Sequence, residues 1–278
     1  MNKYLENKLK NLLENTGDMA LKRRAGNIIG GLDLKDGERI LEVGCGDGYY
    51  LHLLSNLGVK LYLTGTDHSR HDLERARKNL NDKKIKLVYG DLMEKLPFKN
   101  NLFDKIVMSE VSEHLPDDVK GLKEVFRVLK KRGTLCLTVP NHNYPLFWDP
   151  LNWILEHFIN IHVKSGFFAG LWNQHERLYK PQEIEKVTKK AGFKIEEVKS
   201  LTWWCLPFNH YMVNLVARGL AAGKFSKDTH LALSKYAKKV KKPLLLNLAF
   251  RFVNTLDKLN DVYQPKNFGV SVFVKAVK

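Results

Sequence analysis

Three glycines at alternate positions, Gly44, Gly46 and Gly48, follow directly on the apolar run Arg39–Val43 and precede a helix-compatible run over 49–57. Glycines at this spacing let a backbone turn approach a ligand closely, with the amides of the next helix facing it. An acid, Glu42, stands two residues before the first glycine, so the order is Glu-x-Gly-x-Gly-x-Gly. Position 49 is tyrosine, so the Gly-x-Gly-x-x-Gly order of nicotinamide binders is not met. A second group follows at Ser109-Glu110-Val-Ser-Glu113-His114. Carboxylates and an imidazole so close together suit proton transfer, and equally suit capping and orienting a loop.

The elements that must position these groups read as alternating strands and helices. Residues 1–35 carry Leu5, Leu9, Leu12 and Leu13 at helical spacing, then Ala20, Leu21, Ile28 and Ile29. Strands are expected at 39–43, 61–66, 85–89, 105–109 and 134–139. Helices are expected over 69–81 and over 116–130, the latter with Leu122, Val125, Phe126 and Leu129 on one face before Gly133 closes it. Such alternation implies a parallel sheet with right-handed crossovers. Beyond 140 the regularity breaks. A helix over 183–191 and a strand over 193–201 come first; roughly 65 residues separate them from a last strand over 270–277. The chain therefore parses as N-terminal helices (1–35), an α/β core (36–140), an aromatic insertion (141–180), a continuation of the core (181–205), a basic and apolar helical insertion (206–266) and a final core strand (267–278).

The glycine pattern with Glu42 resembles the first motif of class I S-adenosylmethionine (SAM) methyltransferases. The resemblance implies an α/β, Rossmann-like class I fold: a seven-stranded, mostly parallel sheet whose last strand enters antiparallel between strands five and six, plus helical insertions. It carries over Glu42, Gly44, Cys45, Gly46, Gly48, Asp67, Asp91 and Leu92 as contacts to SAM. Asp67, ending the second strand, would take the ribose hydroxyls; Asp91 would meet the adenine amino group and Leu92 its ring; Glu42 and the turn amides would take the methionine end. Each acid alone also reads as a cap or a surface carboxylate, and it is their order and offsets together that carry the resemblance.

Glu-x-x-Glu-His, here 110–114, occurs across many SAM methyltransferases. In ubiquinone-pathway O-methyltransferases and small-RNA 2′-O-methyltransferases it joins a later histidine to bind a divalent cation, and His175 lies where that histidine belongs. The implied metal set is Glu110, Glu113, His114 and His175, better suited to Mn²⁺ or Zn²⁺ than to Mg²⁺. Such an ion would orient an acceptor hydroxyl and lower its pKa. Without a metal, the catalytic candidates are His114 and His175, as general base or as groups that position the acceptor.

All five tryptophans fall between 148 and 204, outside the cofactor half. Apolar residues recur at helical spacing in 145–163 and 207–222, and the stretch 224–251 carries eight Lys or Arg against the single acid Asp228. Apolar helices beside a basic cluster suit a hydrophobic or lipid-linked acceptor and an anionic membrane surface; helices packing on one another as a lid, with solvated lysines, is the plainer account. Formal net charge is +16. Three functions fit: a methyltransferase for a small or lipid-like acceptor, by its cation cluster at a hydroxyl oxygen; an RNA methyltransferase whose basic insertion tracks phosphates; and a SAM-binding scaffold without catalysis. The three scattered cysteines and the polar first residues favour a reducing, cytoplasmic setting.

Overall fold

The structure, a computed structural model, describes residues 3–278 except 15, 83, 173, 174, 209, 210, 213, 214, 217, 220, 221, 225–228, 230–232 and 237–242. Two helices come first, α1 (Lys3–Leu13) and α2 (Met19–Gly31). Asp18 caps α2 by accepting the amides of Ala20 and Leu21. Next come β1 (Arg39–Val43), α3 (Tyr49–Asn56), β2 (Tyr62–Asp67), α4 (Arg70–Leu80) and β3 (Lys86–Tyr89). Then follow β4 (Phe103–Ser109), α5 (Asp118–Val128), β5 (Leu129–Pro140), α6 (Pro150–Ile159), α7 (Pro181–Lys190) and β6 (Lys194–Leu201). Two further described helices, α8 (Leu244–Asp257) and α9 (Leu259–Val262), precede β7 (Ser271–Val277).

The strands form one sheet of order β3-β2-β1-β4-β5-β7-β6. β7 pairs antiparallel with β5 and β6, and the other pairings are parallel. This is the mostly parallel sheet expected from the sequence, its last strand between the fifth and sixth. The strand order reverses at β1 and β4, so their C-terminal ends open a crevice of the kind that takes ligands in such sheets.

Each face of the sheet is covered. Ile40 joins the helices α1, α2 and α3 in one apolar cluster, while its neighbours Leu41 and Val43 join α5 and α7 in another. Alternation along one strand thus feeds both cores, Ile40 on one side and Leu41 and Val43 on the other. Gly31 lets α2 lie close on β5 and β7: a Cβ there would stand 2.9 Å from the Cys136 sulfur. A third cluster packs Tyr144, Trp148, Leu171 and Trp172 of the aromatic insertion against Ala20 of α2, Cys205 and Val270.

Several sequence expectations shift. The helix expected over 116–130 ends at Val128, and Gly133 does not close it but lies inside β5, which starts at Leu129. Leu129 is buried opposite Phe103, so strand pairing claims a residue that periodicity had placed on the helix. The helical spacing over 145–163 yields a helix only over Pro150–Ile159, bounded by the Asp149 cap and by Asn160 in the left-handed region. Of the helix expected over 207–222, residues 211, 212, 215, 216, 218 and 219 are helical and 209, 210, 213, 214, 217, 220 and 221 lie outside the described residues, as do 225–228, 230–232 and 237–242 of the basic stretch 224–251. Among the described residues no helix is long and apolar enough to cross a membrane.

Candidate active site

β1 delivers Glu42 and then the glycine turn. Gly44 and Gly46 both take left-handed φ, +65° and +48°, which glycine adopts at least cost. They differ in what surrounds them. A Cβ on Gly44 would stand 2.4 Å from Cγ2 of Val111, whereas one on Gly46 would meet nothing within 4 Å. The turn is tied to the end of β2: Cys45 N–H donates to the Thr66 carbonyl at 3.0 Å, and Gly46 N–H donates to Oδ2 of Asp67 at 2.8 Å. The other Asp67 oxygen accepts the Ser69 amide at 2.8 Å. Each carboxylate oxygen keeps room for another donor. Asp67, expected as a contact to the ribose hydroxyls, therefore also braces the glycine turn.

Glu42 is buried, and its Oε2 accepts the Leu51 amide of α3 at 3.0 Å. Burial pushes its carboxyl well above the usual range; the Leu51 amide and Lys235 oppose that, Asp47 and Asp67 reinforce it. The Cys45 side chain is buried in the core beside Gly65, so only its backbone lies in the turn's surface. Asp91 is half-buried and accepts the Met93 amide at 2.8 Å. The Leu92 side chain sits in the core under α5, near Gly121, so its backbone is the part nearest the crevice.

The loop after β4 lies against the turn through Val111. Glu110, in the left-handed region, pairs its Oε2 with Nη1 of Arg24 from α2 at 3.3 Å. The same Nη1 donates to Ser271 Oγ at 3.2 Å. Burial lowers the Arg24 pKa, but Glu110 and Asp18 outweigh it and the group ends above its ordinary value. Glu113 is wholly buried, and neither of its oxygens has a hydrogen-bond partner. Burial first, and Glu110 second, hold its carboxyl well above the usual range. Nε2 of His114 and Nε2 of His175 each lie 3.8 Å from Glu113 Oε1, and the two rings meet edge to face at 4.8 Å. The segment carrying His175 is held by the Glu176 amide, which donates to the Glu113 carbonyl at 3.0 Å.

Of the four expected cation ligands, three thus converge, their nearest donor atoms within 4.8 Å of one another. Glu110 is turned to Arg24 instead. Sequence reading missed Arg24, although a signal existed: with Ala20 and Ile28 it forms an i, i+4, i+8 row, an arginine on the apolar stripe of α2. It also missed Tyr50, whose hydroxyl meets Ser109 Oγ at 2.9 Å, and the pair His142 and Glu156, 3.4 Å apart beside Tyr144 and Trp172.

Comparison with known proteins bears on this arrangement. The sequence profile of a family described as a methyltransferase domain matches residues 41–137. The chain is 30% identical over 227 residues to 2-methyl-6-phytyl-1,4-hydroquinone methyltransferase 1, chloroplastic, of Oryza sativa subsp. japonica, covering 78% of this chain and 60% of that protein. It is 31% identical over 180 residues to the demethylmenaquinone methyltransferase of Staphylococcus aureus (strain JH9), covering 62% of this chain and 74% of that protein. It spans 60%, 41% and 42% of three plant hydroquinone methyltransferases among those it matches. Among solved structures, phosphoethanolamine N-methyltransferase 2 of Haemonchus contortus in complex with S-adenosyl-L-methionine superposes with a TM-score of 0.56 at 21% identity, over 91% of this chain and 52% of that one. The [4+2]-cyclase SpnF does so with a TM-score of 0.53 at 18% identity, over 91% and 80%. At such identities the likeness is one of fold.

Proposed function

Because this chain belongs to the SAM-dependent methyltransferase family, we propose that it transfers a methyl group from SAM to a quinone-type acceptor in its hydroquinone form, at the surface of a membrane. SAM, when bound, supplies an electrophilic methyl group on a sulfonium. The residues fit it. The open side of Gly46 leaves space for a ligand against the turn. Glu42, buried and short of a charge partner, would take the cationic methionine end; Asp67 would accept the ribose hydroxyls on the lone pairs its backbone donors leave free; the backbone beside Asp91 and Leu92 would border the adenine.

The acceptor must lose a ring-hydroxyl proton before it is a competent nucleophile. His114 or His175 takes that proton, and Glu113 beneath both rings stabilises the imidazolium that forms. The phenolate is nucleophilic at oxygen and at the ring carbon beside it, and the same base serves either product. The observation that carries the acceptor half is the convergence of Glu113, His114 and His175 from two chain segments, next to the loop that rests on Gly44. The quinone class is supported by what the hydroquinone and demethylmenaquinone methyltransferases are named for.

The same carboxylate and two imidazoles, with both Glu113 oxygens lacking partners, also fit a divalent cation of the Mn²⁺ or Zn²⁺ type, which would lower the pKa of the hydroxyl. Glu110 stands outside this set. The test is to incubate the protein with isotope-labelled SAM and a short-tailed 1,4-hydroquinone, then locate any label by mass spectrometry and NMR. A labelled ring product is expected, and its position separates O- from C-methylation. Absence of product from protein that binds SAM overturns the acceptor class. Calorimetry with Mn²⁺ and Zn²⁺ decides the cation.

A further inference from the structure

α8 is built the wrong way round for a helix on a water-soluble protein. The face it turns to the protein is largely ionic: Asn254 accepts from Lys22, and Asp257 pairs with Lys22 and with Arg23, the latter at 2.6 Å. Asp261, beyond it, pairs with Arg23 at 2.9 Å. Phe250 is the one buried apolar side chain in α8, close to Gly17. The opposite face, half a turn away, holds Leu244, Leu245, Leu248 and Phe252, and all four are exposed, Leu245 to 81% and Phe252 to 60%. Val262 of α9 continues the row at 83%.

α6 repeats the inversion. Its one buried residue is Asn152, which donates to Asp149 and to the carbonyls of Phe168 and Ala169. Its exposed stripe is Leu151, Ile154 and Phe158, the last 78% exposed. The two helices are joined by a short path: Phe208 N–H donates to the Phe147 carbonyl just before α6, and Trp204 N–H donates to Asn260 of α9. A helix with polar groups inward and leucine and phenylalanine outward is stable only if something apolar meets the outward face.

The geometry points to an anionic lipid bilayer as that occupant, with α6 and α8–α9 lying in its interface and no described helix crossing it. Charge decides between a bilayer and a second copy of this chain. Exposed Arg251 and Lys258 flank the α8 row, and Lys238, Lys239, Lys241 and Lys242 stand in the sequence directly before the helix. A two-fold contact would set Arg251 and Lys258 against their own copies, whereas an anionic headgroup layer complements them. The inward side of α6 adds the link to function, an inference that rests on the quinone-type acceptor proposed above. Glu156 on that side meets His142, whose amide donates to the Tyr179 carbonyl, and the Tyr179 hydroxyl donates to the Ser112 carbonyl next to Glu113. Through these contacts a helix resting in lipid would bring the acceptor site near a molecule that itself resides in the bilayer.

The test is co-sedimentation with vesicles of equimolar phosphatidylglycerol and phosphatidylcholine, on wild type and on two double variants, L248D/F252D in α8 and I154D/F158D in α6. These side chains are exposed, so unchanged SAM affinity and thermal unfolding serve as fold controls. Partitioning should fall at least about tenfold in each variant, and in wild type on raising salt or omitting phosphatidylglycerol. Wild-type partitioning by both variants overturns the proposal. So does light scattering that shows a wild-type dimer made monomeric by L248D/F252D, with no vesicle binding. Methylation of a short-tailed hydroquinone free in solution is read in parallel. If wild type binds vesicles but methylates no hydroquinone, the docking face stands and the acceptor reading falls; methylation in solution without any vesicle binding leaves the opposite result.

Discussion

Nη1 of Arg24, in the second helix, lies 3.3 Å from Oε2 of Glu110, in the loop after the fourth strand. The contact joins the N-terminal helices to the loop that carries Glu113 and His114. It is mostly shielded from water, with 13% and 22% of the two side chains exposed. Removing one partner of such a pair strands the other's charge, a larger loss than the pair itself is worth. Arg24→Met should therefore cost about 3 kcal/mol in urea unfolding. The double variant R24M/E110Q should recover much of that loss. Equal destabilisation of the single and double variants would show that the helix loses packing, not charge balance.

The two glycines of the turn separate fold from ligand. Gly44→Ala forces a methyl into Val111 and must move the loop, at a cost of about 2 kcal/mol. Gly46→Ala meets no protein atom within 4 Å, so only its left-handed φ counts, about 1 kcal/mol. Yet that methyl projects into the space proposed for SAM. Calorimetry should show SAM affinity reduced about tenfold or more in Gly46→Ala, with its melting temperature little changed. Full SAM affinity in this variant would remove the donor from that side of the turn.

How much of this was legible follows from what periodicity can and cannot say. β1 and β4 were readable because both faces of each are buried, which leaves the short apolar runs Ile40-Leu41 and Ile106–Met108. The start of β5 was not: Lys130, Lys131 and Arg132 look like the polar end of a helix, and only the buried partner Phe103 makes Leu129 a strand residue. Helical spacing revealed an apolar stripe within 145–163, but a stripe carries no sign for inward or outward. That sign comes from Asn152 finding carbonyl partners inside. Arg24 was hidden for a related reason, since a cation in a Lys-Arg-Arg run reads as solvated until the acid it faces is known. The acids and imidazoles near the turn were legible one by one, but their grouping without Glu110 was set by the reach of Arg24.

Glu42 gives the protein a pH dependence with a definite sign. Its folded carboxyl is held well above the ordinary range by burial, so the folded chain keeps a proton that the unfolded chain has already released. The stability it contributes is whole below the ordinary carboxylate range, near pH 4.3, and is lost as pH rises from there through the raised folded value. The slope from this one group is at most about 1.4 kcal/mol per pH unit. Glu42→Gln cannot ionise and should flatten the wild-type fall in stability over that window, as measured by urea unfolding at a series of pH values. It should also weaken SAM, because a bound cationic end would draw the proton off Glu42 and pair with the carboxylate, which Gln cannot provide. A pH profile identical to wild type would mean that Glu42 stays charged, with Lys235 and the Leu51 amide balancing its burial.

His114 and His175 share one carboxylate at equal distances of 3.8 Å, and that symmetry sets the final prediction. If one imidazole removes the acceptor proton and Glu113 supports it, replacing that histidine by Asn should lower kcat about a hundredfold. SAM affinity should hold, because neither ring belongs to the glycine turn. Any limb of the kcat/KM–pH profile that this base sets should vanish with it. The second histidine then acts on the same step through the same acid, so the double variant should lose little beyond the worse single one. Groups that merely shape the loop behave otherwise: their Asn variants would lose stability, keep the pH profile, and add their effects on rate. A divalent cation gives a third pattern, in which either substitution abolishes the heat of Mn²⁺ or Zn²⁺ binding and both lower the rate alike. Steady-state kinetics across pH, run beside metal calorimetry on the two single variants and the double, distinguishes the three outcomes.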